Sequence, residues 1–223
     1  MTMPYRRTED VVRRLAAREQ AILDAAAALA SQSGMAAVQI AAVAERAGIA
    51  AGTVYRYFPS KADLVAALIG ALTERELSAM RAAGDGAPGP LSALAACIAS
   101  FAARALDARR LIWALTGEAL EPELDNGRGT FRRSLAGELA TRIQAAAIGG
   151  HLPELDAAAA GAAVLGALLE GLIGPLAPVP SDETSARETV QTATLLALRA
   201  LGVVDARARG LVAQIALPVR KAS

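Results

Sequence analysis

The stretch from Ile40 to Lys61 reads IAAVAERAGIAAGTVYRYFPSK, which has the pattern of two short helices joined by a turn. Apolar side chains recur with the spacing of one helical face, at Ile40, Val43, Ala44 and Ala47. Gly48 follows this face, and glycine tolerates the left-handed backbone that ends many helices. A second short helix is predicted from about Ala51 to Tyr57, with Val54 facing inward. The rest of the chain is best understood outward from this pair of helices.

The pair has the features that a helix-turn-helix requires. Ala44 is small where two helices would cross, Gly48 stands at the turn, and Val54 is an aliphatic anchor in the second helix. Three of the seven aromatic residues of the chain follow within four positions, at Tyr55, Tyr57 and Phe58. We expect Phe58 in the core of a three-helix unit. Two tyrosines with cations between and after them are typical of phosphate and base-edge contacts, although packing into the core is the alternative for the tyrosines.

The run VAERAGIAAGTVYRYFPSKADLVAALI, Val43 to Ile69, resembles the tetracycline-repressor-like (TetR/AcrR) family of bacterial transcriptional regulators. The turn, the TVYRYF run and the PSK helix start match in order, and the resemblance covers about residues 18–70. The remaining two thirds match the family only in length and helical character. The resemblance implies a homodimeric DNA-binding regulator, expected to be a repressor that a small molecule releases from a palindromic operator.

The resemblance also implies the residues that meet DNA. Backbone contacts are expected from Gln39, Thr53, Tyr57 and Lys61, and contacts to base edges or phosphates from Tyr55 and Arg56. This chain departs from the family pattern at several positions. Gln39 replaces a capping Thr or Ser, and Val38, Ala50 and Ala51 stand where relatives often carry polar residues. We therefore expect fewer contacts from the turn and more from Arg56 and the tyrosines.

Composition predicts an all-α fold. Hydrophobic residues make up 54% of the 223 residues, and many of them are alanine, the best helix former. We expect nine to ten helices in three regions: a basic arm at 1–17, a helix-turn-helix domain at 18–70 and a helical regulatory and dimerisation domain at 71–223. The sequence leaves open whether the arm is ordered, extends the first helix or touches DNA. The first firm helix is predicted from about Arg18 to Ser33.

Charge is distributed unevenly although the net charge is only +1. Residues 1–61 carry eight basic and five acidic side chains, a net charge of +3, and the remainder carries 15 basic and 17 acidic ones, a net charge of −2. A basic N-terminal third on an acidic body is the asymmetry expected of a DNA-reading head.

Enzymatic constellations are poorly represented in the sequence. The chain has one cysteine, Cys97, and one histidine, His151, so a disulfide within the chain is impossible and a Cys/His metal cage is not expected. Gly-rich phosphate loops and a G-x-S-x-G motif are absent. We predict no enzyme, no cofactor and no metal. No signal peptide is visible and no apolar run reaches the length of about 20 residues that spans a bilayer, so a cytoplasmic location is expected.

The body should bind both a second chain and an effector. Small residues dominate two late helices, predicted at about 156–174 and 184–201, and their flat faces favour a four-helix bundle between subunits. Packing within one chain is the alternative. Six residues are candidates for an effector pocket, with ordinary core or surface as the alternative for each: Phe101, Arg104, Trp113, Glu118, Phe131 and Glu170.

Two other functions stay open at this stage. A DNA-binding protein without a ligand would have no sizeable cavity in its body. An enzyme or a protein–protein adaptor would present a polar cleft or another binding surface on the body. The operator, the effector and the regulated genes are not encoded in any pattern of the sequence.

Overall fold

The computed structural model describes residues 4–118 and 122–215. Within these ranges the chain forms ten α-helices and one short 3-10 turn, without a β-strand. This confirms the all-α fold class and the expected number of helices. Residues 1–3, 119–121 and 216–223 lie outside the described residues.

The N-terminal part of the chain, called the head below, contains the helix-turn-helix. Its elements are α1 (Pro4–Ser33), the 3-10 turn (Met35–Ala37), α2 (Ile40–Arg46), α3 (Ala51–Tyr57) and the start of α4 (Lys61–Asp85). α1 packs against α2, α4 and the 3-10 turn, and α2 packs against α3. The head is therefore a small three-helix unit closed by the first turns of α4.

The body follows the first part of α4. It consists of α5 (Pro90–Asp107), α6 (Arg109–Thr116), α7 (Pro122–Ile148), α8 (Ala157–Leu172), α9 (Glu183–Ala200) and α10 (Asp205–Gln214). α5 lies centrally, against α4, α7 and α9, and α8 packs on α7. The short helix α6 packs mainly on α1 of the head. The body thus meets the head through both α4 and α6.

The first helix begins much earlier than the apolar pattern predicted. α1 starts at Pro4 rather than near Arg18, so residues 4–17 are helical. Residues 10–20 are all exposed, and the first buried side chain is Ile22. An inward stripe therefore cannot reveal this part of the helix. Proline suits the first helical position, and no glycine interrupts the run before Gly34.

The helix α7 also begins earlier than expected. Pro122 and the glycines of this segment indicate a stop near Pro122 and a new helix from about Gly129, but α7 runs continuously from Pro122. Proline is accepted at a helix start, and the glycine at 127 has a packing role. A Cβ on Gly127 would lie 2.7 Å from Cδ1 of Ile69, so glycine allows α7 to approach α4 closely. This close packing offsets the conformational entropy that glycine loses in a helix.

A buried ion pair joins α4 to α5. Glu76 is only 2% exposed, and its carboxylate accepts two hydrogen bonds from Arg104, at 2.7 Å from Nε and 2.9 Å from Nη2. These hydrogen bonds raise the pKa of the Arg104 guanidinium, against the opposing effect of its partial burial. The fork geometry fixes the two helices in register as well as in distance.

In the part of the chain that the structure describes, one helix is long and apolar enough to cross a membrane by length and composition alone. This is α5, whose 18 residues have a mean hydropathy of 1.3. Residues of α5 such as Leu94, Ile98 and Phe101 are fully buried among the neighbouring helices. The central helix of a bundle has the same composition for this reason.

Candidate nucleic-acid interface

The turn between α2 and α3 has the geometry that its glycine predicted. Gly48 has φ +66°, the left-handed conformation. The Gly48 N–H donates to Glu45 O at 3.1 Å, and the Ile49 N–H reaches back to Ala44 O at 3.0 Å. These two bonds form a Schellman motif, which satisfies the last carbonyls of α2. The motif fixes the angle at which α3 leaves α2.

α3 is held to the head by two side chains one turn apart. Val54 and Phe58 are buried over α2 and its lead-in. Val38 is fully buried in the same core, so the interpretation of Val38 as a lost polar contact was wrong. A β-branched side chain at this position fills the core. Seven residues are too few for a helix to be stable alone, and this buried edge therefore determines the position of α3.

The outer face of α3 carries the predicted contact residues. Arg56 is exposed and lies two residues from Val54, which places it nearly opposite the buried edge of the helix. Tyr55 is 53% exposed. Thr53 and Tyr57 are half-buried and one turn apart, and the Tyr57 ring lies 6.4 Å from that of Phe58. Both alternatives for the tyrosines thus occur: Tyr55 faces solvent, whereas Tyr57 packs partly on the core.

Two further predicted residues flank this face at helix starts. Gln39 precedes α2, is exposed and makes no capping bond; its Nε2 donates to Ala36 O at 3.0 Å. Lys61 opens α4 and is half-buried. Ser60 caps α4, since its Oγ accepts from the Asp63 N–H at 3.1 Å. The start of α4 is therefore firmly placed next to the end of α3.

The start of α3 lacks a side-chain cap. Ala50 occupies the capping position in an extended conformation, with φ −71° and ψ 144°, and has no side-chain oxygen to offer. Ala51 and Gly52 are both exposed. The two alanines thus leave the N-terminal N–H groups of α3 without side-chain partners, as expected from the departure in sequence.

The six candidates for an effector pocket lie in different surroundings. Phe101 and Phe131 are fully buried in the core. Arg104 is engaged by Glu76, and Glu170 is exposed on α8. Trp113 is half-buried on α6 with its ring over Gly117, where a Cβ would be 2.3 Å away. The prediction of a pocket formed by these residues stays a prediction.

The sixth candidate, Glu118, makes a contact that sequence reasoning missed. Its Oε2 accepts a hydrogen bond from the Met35 N–H at 3.0 Å, across 83 positions of sequence. Its Oε1 pairs with Arg110. Glu118 thus joins the end of α6 to the head. Two residues this far apart in the sequence share no local pattern, so their contact could not be predicted from the sequence.

The outward face of α8 and α9 is mostly apolar on the α8 side, while α9 adds four polar side chains, Ser185, Glu188, Thr189 and Thr192. A cleft of about 770 Å³ lies along the two helices. Its lining includes exposed small residues of α8 and an exposed leucine of α9, among them Ala163, Ala167, Gly171 and Leu196. The linker after α8 adds two more exposed apolar side chains, Leu176 and Val179.

Metal and thiol chemistry have little basis in the described parts of the chain. Within them no group of three or more His, Cys, Asp or Glu side chains could hold a metal ion. Cys97 is fully buried, and this burial, followed by the nearby charge of Glu138, raises the pKa of its thiol to about 12. A thiol in this state is a packing group rather than a nucleophile.

An all-helical chain with a short, cationic and aromatic helix behind a glycine turn has the architecture of a helix-turn-helix DNA-binding protein. Residues 22–68 match the family model described as bacterial regulatory proteins of the tetR family. These residues are therefore similar to the N-terminal domain of the tetR family of bacterial regulatory proteins. This confirms the resemblance that the motif indicated.

Curated relatives agree on the head. The chain is 55% identical over 58 residues to the HTH-type transcriptional repressor KstR of Mycolicibacterium smegmatis, which is 26% of this chain and 28% of that protein. It is 53% identical over 72 residues to KstR of Rhodococcus jostii, 32% of each chain. The matches thus span under a third of these relatives. Their family consists of transcription factors rather than enzymes, in agreement with the expectation for this chain.

Solved structures extend the likeness to the body at the level of fold. The crystal structure of RolR in complex with resorcinol superposes with a TM-score of 0.64, at 20% identity, and the match covers 95% of this chain and 100% of that one. At this identity the likeness shows the fold alone. It supports an N-terminal helix-turn-helix domain followed by a helical C-terminal domain.

Proposed function

We propose that this protein is a sequence-specific transcriptional regulator that binds a palindromic operator as a homodimer and is released by a small-molecule effector. The observation that carries the proposal is the outer face of α3, which is fixed by buried Val54 and Phe58 and presents Arg56 and Tyr55 to solvent. The high identity of this region to the KstR repressors supports the same conclusion.

α3 is proposed to enter the major groove. Arg56 would read a base edge, since arginine to guanine is the commonest specific contact. Thr53, Tyr55 and Tyr57 on the same helix, with Gln39 and Lys61 at the flanking helix starts, would contact phosphates and fix the docking. The segment before α2, which contains Gln39, and the start of α4, which contains Lys61, border the exposed face of α3. Phosphate contacts from such flanking positions would fix the orientation of the protein on the duplex.

Dimerisation is proposed through α8 and α9. One short recognition helix gives too small a contact for tight binding, and a twofold partner doubles it. The exposed small residues of α8 would let a second copy approach closely, and their twofold-related counterparts would form a four-helix bundle. Exposed Leu196 supports this choice, because a large apolar side chain in that position gains by being covered.

The effector is proposed to bind in the body and to favour a state with a different spacing of the heads. Such a ligand shifts the population only to the extent that it prefers the non-binding state. The RolR structure, which contains resorcinol, supports a small molecule as the kind of effector. A repressor of this kind would act in the cytoplasm.

Selection of bound fragments from the genome of the source organism tests the proposal. We expect enrichment of a palindrome whose half-sites are about one helical turn, roughly 34–36 Å, apart. The matched control is the variant Arg56→Ala, which should lose the enrichment while remaining folded. Fragments without a common motif would disprove sequence-specific recognition, and the same motif recovered by the variant would show that Arg56 does not read a base.

A ligand screen tests the effector separately. Trp113 is the only tryptophan and sits on α6 at the junction of head and body, so its fluorescence reports directly on this region. We expect an effector both to raise the melting temperature and to change the Trp113 emission. A compound library that stabilises nothing would favour a DNA-binding protein without a ligand.

A further inference from the structure

The junction between α6 and the head is built from charged side chains on backbone groups. Glu118 accepts the Met35 N–H at 3.0 Å and is paired with Arg110. Gly34 makes this possible, because it has φ +83° and a Cβ there would lie 2.5 Å from the Glu118 carboxylate. A charge-assisted bond to a backbone N–H is strong and directional.

The opposite end of α6 is fixed in the same manner. The Arg109 guanidinium donates to three carbonyl oxygens, at 2.8 Å to Pro178, 3.0 Å to Ala177 and 3.4 Å to Gly174. These carbonyls belong to the connection between α8 and α9. That connection borders the apolar face proposed for dimerisation.

A third contact fixes the end of α6 to the body. Arg128 of α7 donates from Nε to Leu115 O at 3.0 Å and from Nη2 to Glu118 O. The N-terminal end of α6 is thus bonded to the α8–α9 connection, and its C-terminal end is bonded to the head and to α7. The helix between these ends has only eight residues.

We propose that Glu118 and Arg109 are positioning residues that make α6 a strut between the α8–α9 connection and the head. The strut sets the orientation of α3 relative to the dimer face. This inference rests on the proposed function, because head orientation matters for binding only when two heads must match one operator. The 3-10 turn held by Glu118 leads directly into α2, so a shift of Met35 moves the whole helix-turn-helix.

Distance measurement between head and body tests the strut without DNA. Exposed Glu45 on α2 and exposed Gln144 on α7 are replaced by cysteine and spin-labelled, and the labelled chain is diluted into unlabelled protein. Cys97 is fully buried and does not compete for the label. We expect Glu118→Ala to shift or broaden the distance distribution. Glu118→Gln keeps an oxygen acceptor for Met35 and should restore most of it.

Two controls decide the outcome. Glu154→Ala removes an exposed carboxylate far along the chain, and its distribution should equal that of the parent protein. If Glu118→Ala does not fold, Arg109→Ala applies the same test from the other end of α6. A distribution in either folded variant that superimposes on that of the parent would overturn the inference.

Binding to full and half operators gives the functional readout. With duplexes selected by the unmodified chain, Glu118→Ala should lose about tenfold in affinity for the palindrome, a typical size for coupling between sites. Its affinity for a single half-site should be unchanged, because one head can orient freely. Equal losses on both duplexes would make Glu118 a merely structural residue. Failure of the unmodified chain to bind any duplex would disprove the proposed function and leave the distance test valid.

Discussion

The outer faces of α3 and α8 differ in almost every property. α3 presents an arginine and a tyrosine around a helix of seven residues, whereas α8 presents alanines and glycines along a helix of 16 residues. Both faces are exposed in the single chain. The first offers charge, hydroxyls and an aromatic ring, and the second offers mainly methyl groups and backbone, with the Glu170 carboxylate exposed near its C-terminal end.

The difference shows what each face can bind. A charged face gains from a polar partner that supplies counter-charge, as a phosphate backbone does. A smooth apolar face gains only from close contact with another apolar surface, and a copy of itself has the required shape. Under the proposed function, the chain would use different residue types for binding DNA and for binding a second copy of itself. The following predictions test this separation.

The largest effect is expected from a charge on the α8 face. Ala163→Glu would place two carboxylates, one from each subunit, in an apolar interface. An unpaired buried charge costs about 3–5 kcal/mol, so we expect monomers in sedimentation experiments at concentrations where the parent protein is dimeric. Ala82→Glu, at an exposed alanine of α4, is the matched control and should leave the dimer intact. A dimeric Ala163→Glu protein would move the interface elsewhere.

A smaller effect is expected from the charge on the α3 face. Arg56→Ala should weaken specific binding by about 1–3 kcal/mol if Arg56 reads a base. Binding to random DNA should change little. The control is Arg132→Ala, which removes an exposed arginine from α7. Equal losses on specific and random duplexes would instead assign Arg56 to the phosphate backbone.

The turn before α3 is expected to affect the free energy of unfolding rather than the contacts with DNA. Gly48→Ala forces a side chain into a left-handed backbone, which costs roughly 1–2 kcal/mol, although a Cβ at this position meets no neighbour within 4 Å. Denaturant unfolding measures the loss. Gly137→Ala, in the middle of α7 where space is also open, should have the opposite sign, because alanine favours a helix. Similar losses in both variants would refute the conformational explanation.

The smallest effect is a gain at the uncapped start of α3. Ala50→Ser supplies the oxygen that the capping position lacks, and we expect about 1 kcal/mol of added stability. Ala51→Ser, one residue further into the helix, is the matched control and should add nothing. Chemical unfolding of both variants distinguishes a cap from a general effect of serine.

Much of the head could be predicted from the sequence because its determinants are local. Gly48, Val54 and the Ser60 cap act within one or two turns, and the structure has each of them in the expected place. Val38 was interpreted as a lost polar contact because relatives often carry polar residues at this position, but its side chain is fully buried. Its burial is set by α1 and α2 together, which a family pattern of polar residues does not convey.

The body was less predictable because its determinants are distant in sequence. The early start of α7 depends on Gly127 meeting Ile69, and the contact of Glu118 with Met35 spans 83 positions. Neither contact produces a periodic pattern of apolar residues in the sequence. α1 shows a different limit, because residues 10–20 are all exposed and have no inward stripe that would predict a helix.

α4 has a thermodynamic consequence that follows from its continuity. Leu64 and Leu68 are buried in the head, Leu77 and Met80 are buried in the body, and the helix runs through both without a break. Neither part can melt without exposing half of the same helix. We therefore expect calorimetry to show one cooperative transition for the whole chain rather than one for each part.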